Sequence, residues 1–260
     1  MGFLRRRPHQ LAGIAGTLQG RHILVTGGAG VLGRGIVRVL AEAGAAVTVT
    51  DLDQDALDRL VADEAQAAGR VTGTVSDVRD PDAIAALLDG LDPPLDGLVN
   101  NVGIDPYPRE PADLDPDTMR TVYETNVLGP LTLTRDALAR FRERETPASI
   151  VFITSIHHEI LRRQPGYSTT KAALTMAMRE LALDAAPAGI RVNAVAPGHV
   201  ALGRRGRPIY SRGAPLGEVS LHPVEVGKAV WFLLNDDLSA GITGTTLTID
   251  RGMSLVIPGW

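Results

Sequence analysis

Tyr167 and Lys171 stand four positions apart in YSTTK, with Ser155 twelve positions upstream. On a helix that interval stacks the phenol and the ammonium on one face. A phenol loses its proton near pH ~10 in water, and an adjacent cation stabilises its anion. The pair therefore reads as a general acid/base for work near neutrality, with the lysine lowering the phenol's pKa. Ser155 could hold an oxygen while Tyr167 moves its proton. The same interval arises by chance on many amphipathic helices, so the surrounding sequence must decide. His157, His158 and Glu159 beside Ser155 invite a metal site or a Ser-His-Asp triad. Adjacent histidines point in different directions on any regular element, and no Asp/Glu-His spacing of the zinc-hydrolase kind accompanies them. No metal is expected, and the two histidines read as lining of a substrate pocket.

The elements that would carry these groups follow a βα alternation. Apolar runs of strand length recur at 22–26, 46–50, 71–75, 97–100, 149–154, 190–195 and 245–249. Helical patterns lie at 31–43, 54–68, 80–90, 115–140, 167–186 and 223–235. Strands apolar on both faces must be covered on both sides, which predicts a mostly parallel sheet between helical layers. Right-handed crossovers then give a doubly wound, Rossmann-type α/β domain of about seven strands. The segment 198–222 is rich in Gly, Pro and Arg without periodicity and reads as a substrate lid. Residues 1–18 read as an N-terminal extension, with 19–260 as one domain.

After the first strand comes TGGAGVLG at 26–33, opening a helix. Glycines at 27, 28, 30 and 33 permit a tight turn, and the helix start offers unpaired N–H groups to a pyrophosphate. The second strand ends in Asp51, placed to accept both ribose hydroxyls of an adenosine and to repel a 2′-phosphate. No Arg or Lys occurs within 27–33, so NAD is favoured over NADP. Asp53, just before QDALDRL, reads instead as the cap of the following helix.

These residues resemble the short-chain dehydrogenase/reductase family in its classical length, over about 19–253. TGGAGVLG looks like its cofactor loop, which implies cofactor contacts from Gly27, Gly30, Val31, Leu32 and Gly33, with Asp51 and Leu52 on the ribose. Asp77-Val78 resembles its adenine pair, and NNVG at 100–103 its NNAG motif, implicating Asn101, Val102 and Gly103. RVNAVAPG at 191–198 resembles the stretch lining the nicotinamide, implicating Pro197, Gly198 and Val200. Ser155, Tyr167 and Lys171 match its catalytic residues. Asn126 in TNVLG matches an asparagine that the family sets at a helix irregularity, its carbonyl holding a relay water against Lys171.

The resemblance implies an NAD-dependent oxidoreductase passing a hydride between nicotinamide and a secondary alcohol or ketone. It also implies a homotetramer, or else a dimer, through the helices around 115–140 and 167–186. Several departures accompany it. Val31 stands where many members have glycine, as in the extended branch, yet the chain is too short for the substrate region of an epimerase or dehydratase. Leu202 replaces a threonine that commonly bonds the nicotinamide amide. DRG at 250–252 stands for DGG, with Arg251 read as facing a partner subunit. Thr154 would restore a thirteen-residue serine-to-tyrosine spacing, although ITS ends the strand as the family's serine does. A member that binds NAD without catalysis, as a sensor or scaffold, is the alternative in another function class.

Composition narrows the rest. With 44% apolar residues, 22% charged and a net charge of -4, the chain has no electrostatic reason to bind nucleic acid. It has no cysteine, which fits a reducing cytosol, and no run of ~18 apolar residues for a membrane span. Arg162, Arg163, Arg204, Arg205, Arg207 and Arg212 cluster in two segments, either as a solvated basic lid or as guanidinium forks for an anionic substrate.

Overall fold

Seven strands form one parallel sheet in the computed structural model, which describes residues 13–105, 115–161, 164–200, 214–217 and 220–255. They are β1 (His22–Thr26), β2 (Ala46–Asp51), β3 (Val71–Val75), β4 (Gly97–Asn100), β5 (Ala148–Ile153), β6 (Ile190–Pro197) and β7 (Thr246–Ile249). The order is β3-β2-β1-β4-β5-β6-β7, with every pairing parallel. The chain builds outward from β1 to β3 and then restarts on the other side of β1 with β4. Beyond the carboxyl ends of β1 and β4 this reversal opens a crevice, the usual ligand position in such sheets.

Helices cover both faces: α1 (Val31–Glu42), α2 (Gln54–Asp63), α3 (Pro81–Asp89), α4 (Pro116–Tyr123), α5 (Gly129–Glu143), α6 (Pro165–Ala185), α7 (Pro223–Leu234) and the short α8 (Asp236–Ser239). Their starts follow local chemistry. Asp53 caps α2 by accepting from Ala56 N, as read from the sequence, and Asp80 and Asp115 cap α3 and α4 in the same way. Proline occupies the first turn of α3, α4, α6 and α7. One core lies under α1 and α7, the other under α3, α5 and α6. The first depends on close helix approach, because a Cβ on Gly35 would come within 2.3 Å of Pro223 Cβ.

Four sequence readings change. The expected helix over 115–140 is interrupted by a π-helical turn at Glu124–Leu128, the irregularity that the family resemblance implied at Asn126. The extension ends earlier than residue 18: Ile14 and Leu18 are buried in the α1–α7 core, and Trp231 Nε1 donates to Thr17 Oγ1 at 2.8 Å. Arg251 does not wait for a partner subunit. Its Nη2 donates to both carboxylate oxygens of Glu225 at 2.9 and 2.7 Å, which offsets a left-handed backbone at φ 57 that favours glycine. The apolar residues proposed for assembly divide: Leu133 and Met178 are core, whereas Leu128 and Met176 are 57% and 55% exposed. Of the expected lid, only 198–200, 214–217 and 220–222 fall among the described residues. Leu202 and the six clustered arginines, Arg162, Arg163, Arg204, Arg205, Arg207 and Arg212, lie outside them. Among the described residues no helix is long and apolar enough to cross a membrane, and no cluster of three metal-ligating side chains occurs.

Candidate active site

A cavity of about 600 Å³ runs along the carboxyl ends of β1, β2, β4 and β5, within the size range of small-molecule sites. At one end lies the 26–33 loop. Gly27 is in the left-handed region at φ 60, and a Cβ on Gly33 would sit 2.4 Å from Gly27 O. Only glycine lets the loop close on itself there. Gly30 is the N-cap of α1 and has no side chain to cap it, so the first-turn amides of Val31, Leu32 and Gly33 face the cavity without a protein cap. Asn101 splints this loop from β4, its Nδ2 donating to Thr26 O and Gly27 O at 2.9 Å each.

Beside the loop, Asp51 accepts from Ala29 N at 3.1 Å and Leu52 N at 2.8 Å, which fixes its carboxylate at the cavity wall next to the exposed Leu52. Further along, Asp77 and Val78 line the wall with Ser76 and Arg79. The Arg79 guanidinium grips Asp77 at 2.6–3.1 Å and holds its carboxyl below the usual range. Sequence reading missed Arg79, although its place two residues after Asp77 was the available signal. The buried Ser76 Oγ and Asn101 Oδ1 have no protein partner among the described residues. Orphaned polar atoms beside a glycine cradle, an uncapped helix start and a fixed carboxylate fit a dinucleotide.

At the other end stand Ser155, Tyr167 and Lys171, with Val102, Gly103, Pro197, Gly198 and Val200 on the adjoining walls. Ser155 follows β5 in an extended conformation and caps a short 3₁₀ turn, accepting from His157 N at 3.3 Å. Its hydroxyl also hydrogen-bonds that of Tyr167. Thr154 Oγ1 instead donates to Val195 O at 3.2 Å. Tyr167 lies in the first turn of α6 and Lys171 one turn later, its Nζ 5.4 Å from the phenol ring centre. Gly103 leaves room for that ammonium, since a Cβ there would lie 3.2 Å from Nζ.

The Tyr167 ring keeps some exposure, but its hydroxyl is enclosed by protein. Burial, reinforced by the charge of Asp105, pushes the phenol up to about 12, and the Ser155 hydrogen bond only partly opposes them. Burial likewise drives Lys171 down to about 8, against the favourable charge of Asp105. The ammonium donates to Ile153 O at 3.0 Å. The Asn126 side chain is engaged by the segment after β4: Oδ1 accepts from Ile104 N at 2.8 Å, and Nδ2 donates to Ile104 O at 2.9 Å. It clamps the strand end after β4.

The histidines diverge, as adjacent residues must. The His157 ring packs edge-on against Tyr167 at 5.2 Å and pairs with Ser168 Oγ at 3.2 Å, whereas the buried His158 side chain lies 3.7 Å from Glu159. Sequence reading did not single out Asp105 or Gln164. Gln164 Nε2 donates to Asp105 Oδ2 at 3.1 Å, tying the strand end after β4 to the start of α6.

A family model described as enoyl-(acyl carrier protein) reductase matches residues 27–254. The chain is 32% identical to the oxidoreductase UcpA of Escherichia coli O157:H7, covering 92% of this chain and 97% of that protein. A 3-oxoacyl-[acyl-carrier protein] reductase from Brucella melitensis, solved with bound NAD, superposes with a TM-score of 0.86 at 27% identity, over 98% of this chain and 99% of the other. An actinorhodin polyketide ketoreductase solved with NADPH gives 0.82 at 27% identity, over 93% and 100%. With this shared fold and a family match over nearly its whole length, the chain belongs to the short-chain dehydrogenase/reductase family of oxidoreductases and is a member of classical length.

Proposed function

We propose that the protein interconverts a secondary alcohol and a ketone with NAD as its redox partner. The observation that carries this reading is the hydroxyl pair of Ser155 and Tyr167, with Lys171 one helical turn away, at the end of a cavity whose other end is a glycine cradle. The cradle amides of Val31, Leu32 and Gly33 would hold the pyrophosphate, Asp51 the adenosine ribose, and Asp77, Val78 and Ser76 the adenine side. When bound, the nicotinamide accepts or supplies the hydride. Ser155 orients the substrate oxygen, and Tyr167 takes its proton in oxidation or returns it in reduction. Lys171 supplies positive charge beside the phenol, and Asn126 fixes the Ile104 wall.

Asp51 supports NAD over NADP, because its carboxylate would repel a 2′-phosphate. Arg79 is the cationic side chain on that side among the described residues, but it is already held by Asp77. The NAD-bound Brucella structure is compatible with this choice, and the NADPH-bound ketoreductase makes it a point to test. Exposed Leu128 and Met176 on the α5–α6 side, with Leu183 at 77% exposure, support assembly into a homotetramer or a dimer. The deciding experiment is Tyr167→Phe, followed by reduced-nicotinamide absorbance across a panel of ketones and alcohols. Turnover should fall by at least about 10²-fold while NADH binding persists. Turnover at the parental rate would refute the assignment, and NAD binding by the parent without any turnover would favour a sensor.

A further inference from the structure

Asp105, exposed and next to the cavity-lining Ile104, is a charged side chain that the proton-transfer scheme does not use. It directly follows Ile104, whose N–H and C=O are both clamped by Asn126, so its backbone is anchored. One carboxylate oxygen accepts from Gln164 Nε2 at 3.1 Å, three residues before Tyr167. Its charge reaches the reacting groups: it opposes ionisation of Tyr167 and favours the protonated form of Lys171. An anchored carboxylate with one oxygen held and further lone pairs available is an acceptor for a neutral donor on a bound molecule. The same field penalises a second negative charge placed there.

We propose that Asp105, oriented by Gln164, is a specificity-determining group that accepts a hydrogen bond from a second hydroxyl of the substrate, so that the site selects neutral vicinal diols and polyols over simple alcohols and hydroxy acids. The inference rests on the oxidoreductase reading and adds the substrate class. It is opposite in sign to the anionic substrate that the clustered arginines suggest. Asp105 is solvent-exposed, so the gain is at the lower end of a charge-assisted hydrogen bond, about tenfold in selectivity.

The test compares cyclohexanol, its vicinal diol and the hydroxy acid bearing a carboxylate on the adjacent carbon, as kcat/KM with NAD. Asp105→Asn also alters the field on Tyr167, but equally for all three substrates, so the ratios isolate recognition. The parent should prefer the diol to cyclohexanol by about tenfold and use the hydroxy acid worst. In Asp105→Asn the diol preference should collapse towards unity and the hydroxy acid should gain on cyclohexanol, while Gln164→Ala should lose part of the preference. An unchanged ratio in Asp105→Asn, or a parent that prefers the hydroxy acid, overturns the proposal. If the parent oxidises none of them, the oxidoreductase reading fails separately, and calorimetry of diol and cyclohexanol on the NAD complex of Tyr167→Phe decides. Diol binding that is tighter and weakened by Asp105→Asn supports the subsite, and equal binding overturns it.

Discussion

Lys171 is buried and, among the described residues, has Ile153 O as its hydrogen-bond acceptor, and its proton affinity falls from 10.5 to about 8. At ~1.4 kcal/mol per tenfold change in proton affinity, holding the proton in the folded state costs about 3 kcal/mol. Below pH 8 both folded and unfolded chains carry the proton, and the full cost applies. Between 8 and 10.5 the folded protein has released it while the unfolded chain keeps it, so the cost fades as pH rises, and above 10.5 it is gone. Tyr167, raised from 10.0 to about 12, acts in the other direction, and only above pH 10. Lys171→Met removes the lysine contribution and leaves the rest of the titration in place. Urea unfolding of both proteins, followed by tryptophan fluorescence, should therefore show parent stability rising relative to Lys171→Met by about 3 kcal/mol between pH ~7.5 and ~10.5. Lys228 is the only other lysine and is common to both proteins, so it cancels. The lost hydrogen bond to Ile153 O shifts the difference by a constant and leaves its slope alone. A difference that stays flat, or falls, over that range would refute the burial account of Lys171.

Gly33→Ala places a Cβ 2.4 Å from Gly27 O, so the loop must shift; NADH affinity measured by calorimetry should fall at least about tenfold and Tm should drop. Asp51→Ser removes both the ribose acceptor and the repulsion of a 2′-phosphate, so the ratio of NADH to NADPH affinity should narrow by about ten- to a hundredfold. A parent that binds NADPH more tightly than NADH would already contradict the Asp51 reading.

The central strands were legible because burial on both faces makes a continuous apolar run, as in IVFI of β5. The glycine loop was legible because Gly27 and Gly33 answer to backbone sterics that a sequence prints directly. Two kinds of feature escaped. The pairing of Asp105 with Gln164 joins residues 59 positions apart, and nothing local in either marks it. The burial of Ile14 and Leu18 depends on α7, more than 200 residues later, so the start of the domain looked like an extension. Arg251 misled for a related reason: its partner Glu225 sits 26 residues away, on a helix that sequence alone cannot orient.

The direction of the Tyr167 shift escaped because proximity of a cation is visible in the spacing while desolvation is not. Its size constrains the chemistry. A phenol at about 12 lies some five decades of proton affinity above neutrality, or about 7 kcal/mol. A positive charge within about 5 Å of the phenolate oxygen supplies about 3 kcal/mol at an effective dielectric of ~20, and Lys171 does so only if it stays protonated. Lys171 alone therefore falls short by a margin comparable to a second positive charge. The oxidised nicotinamide is cationic, and its binding would also favour proton loss from Tyr167. By thermodynamic linkage, ionised Tyr167 should then bind the oxidised cofactor more tightly than neutral Tyr167 does. The ligand-free site is thus poised with its acid protonated, and its proton is released only when the charge that needs it arrives.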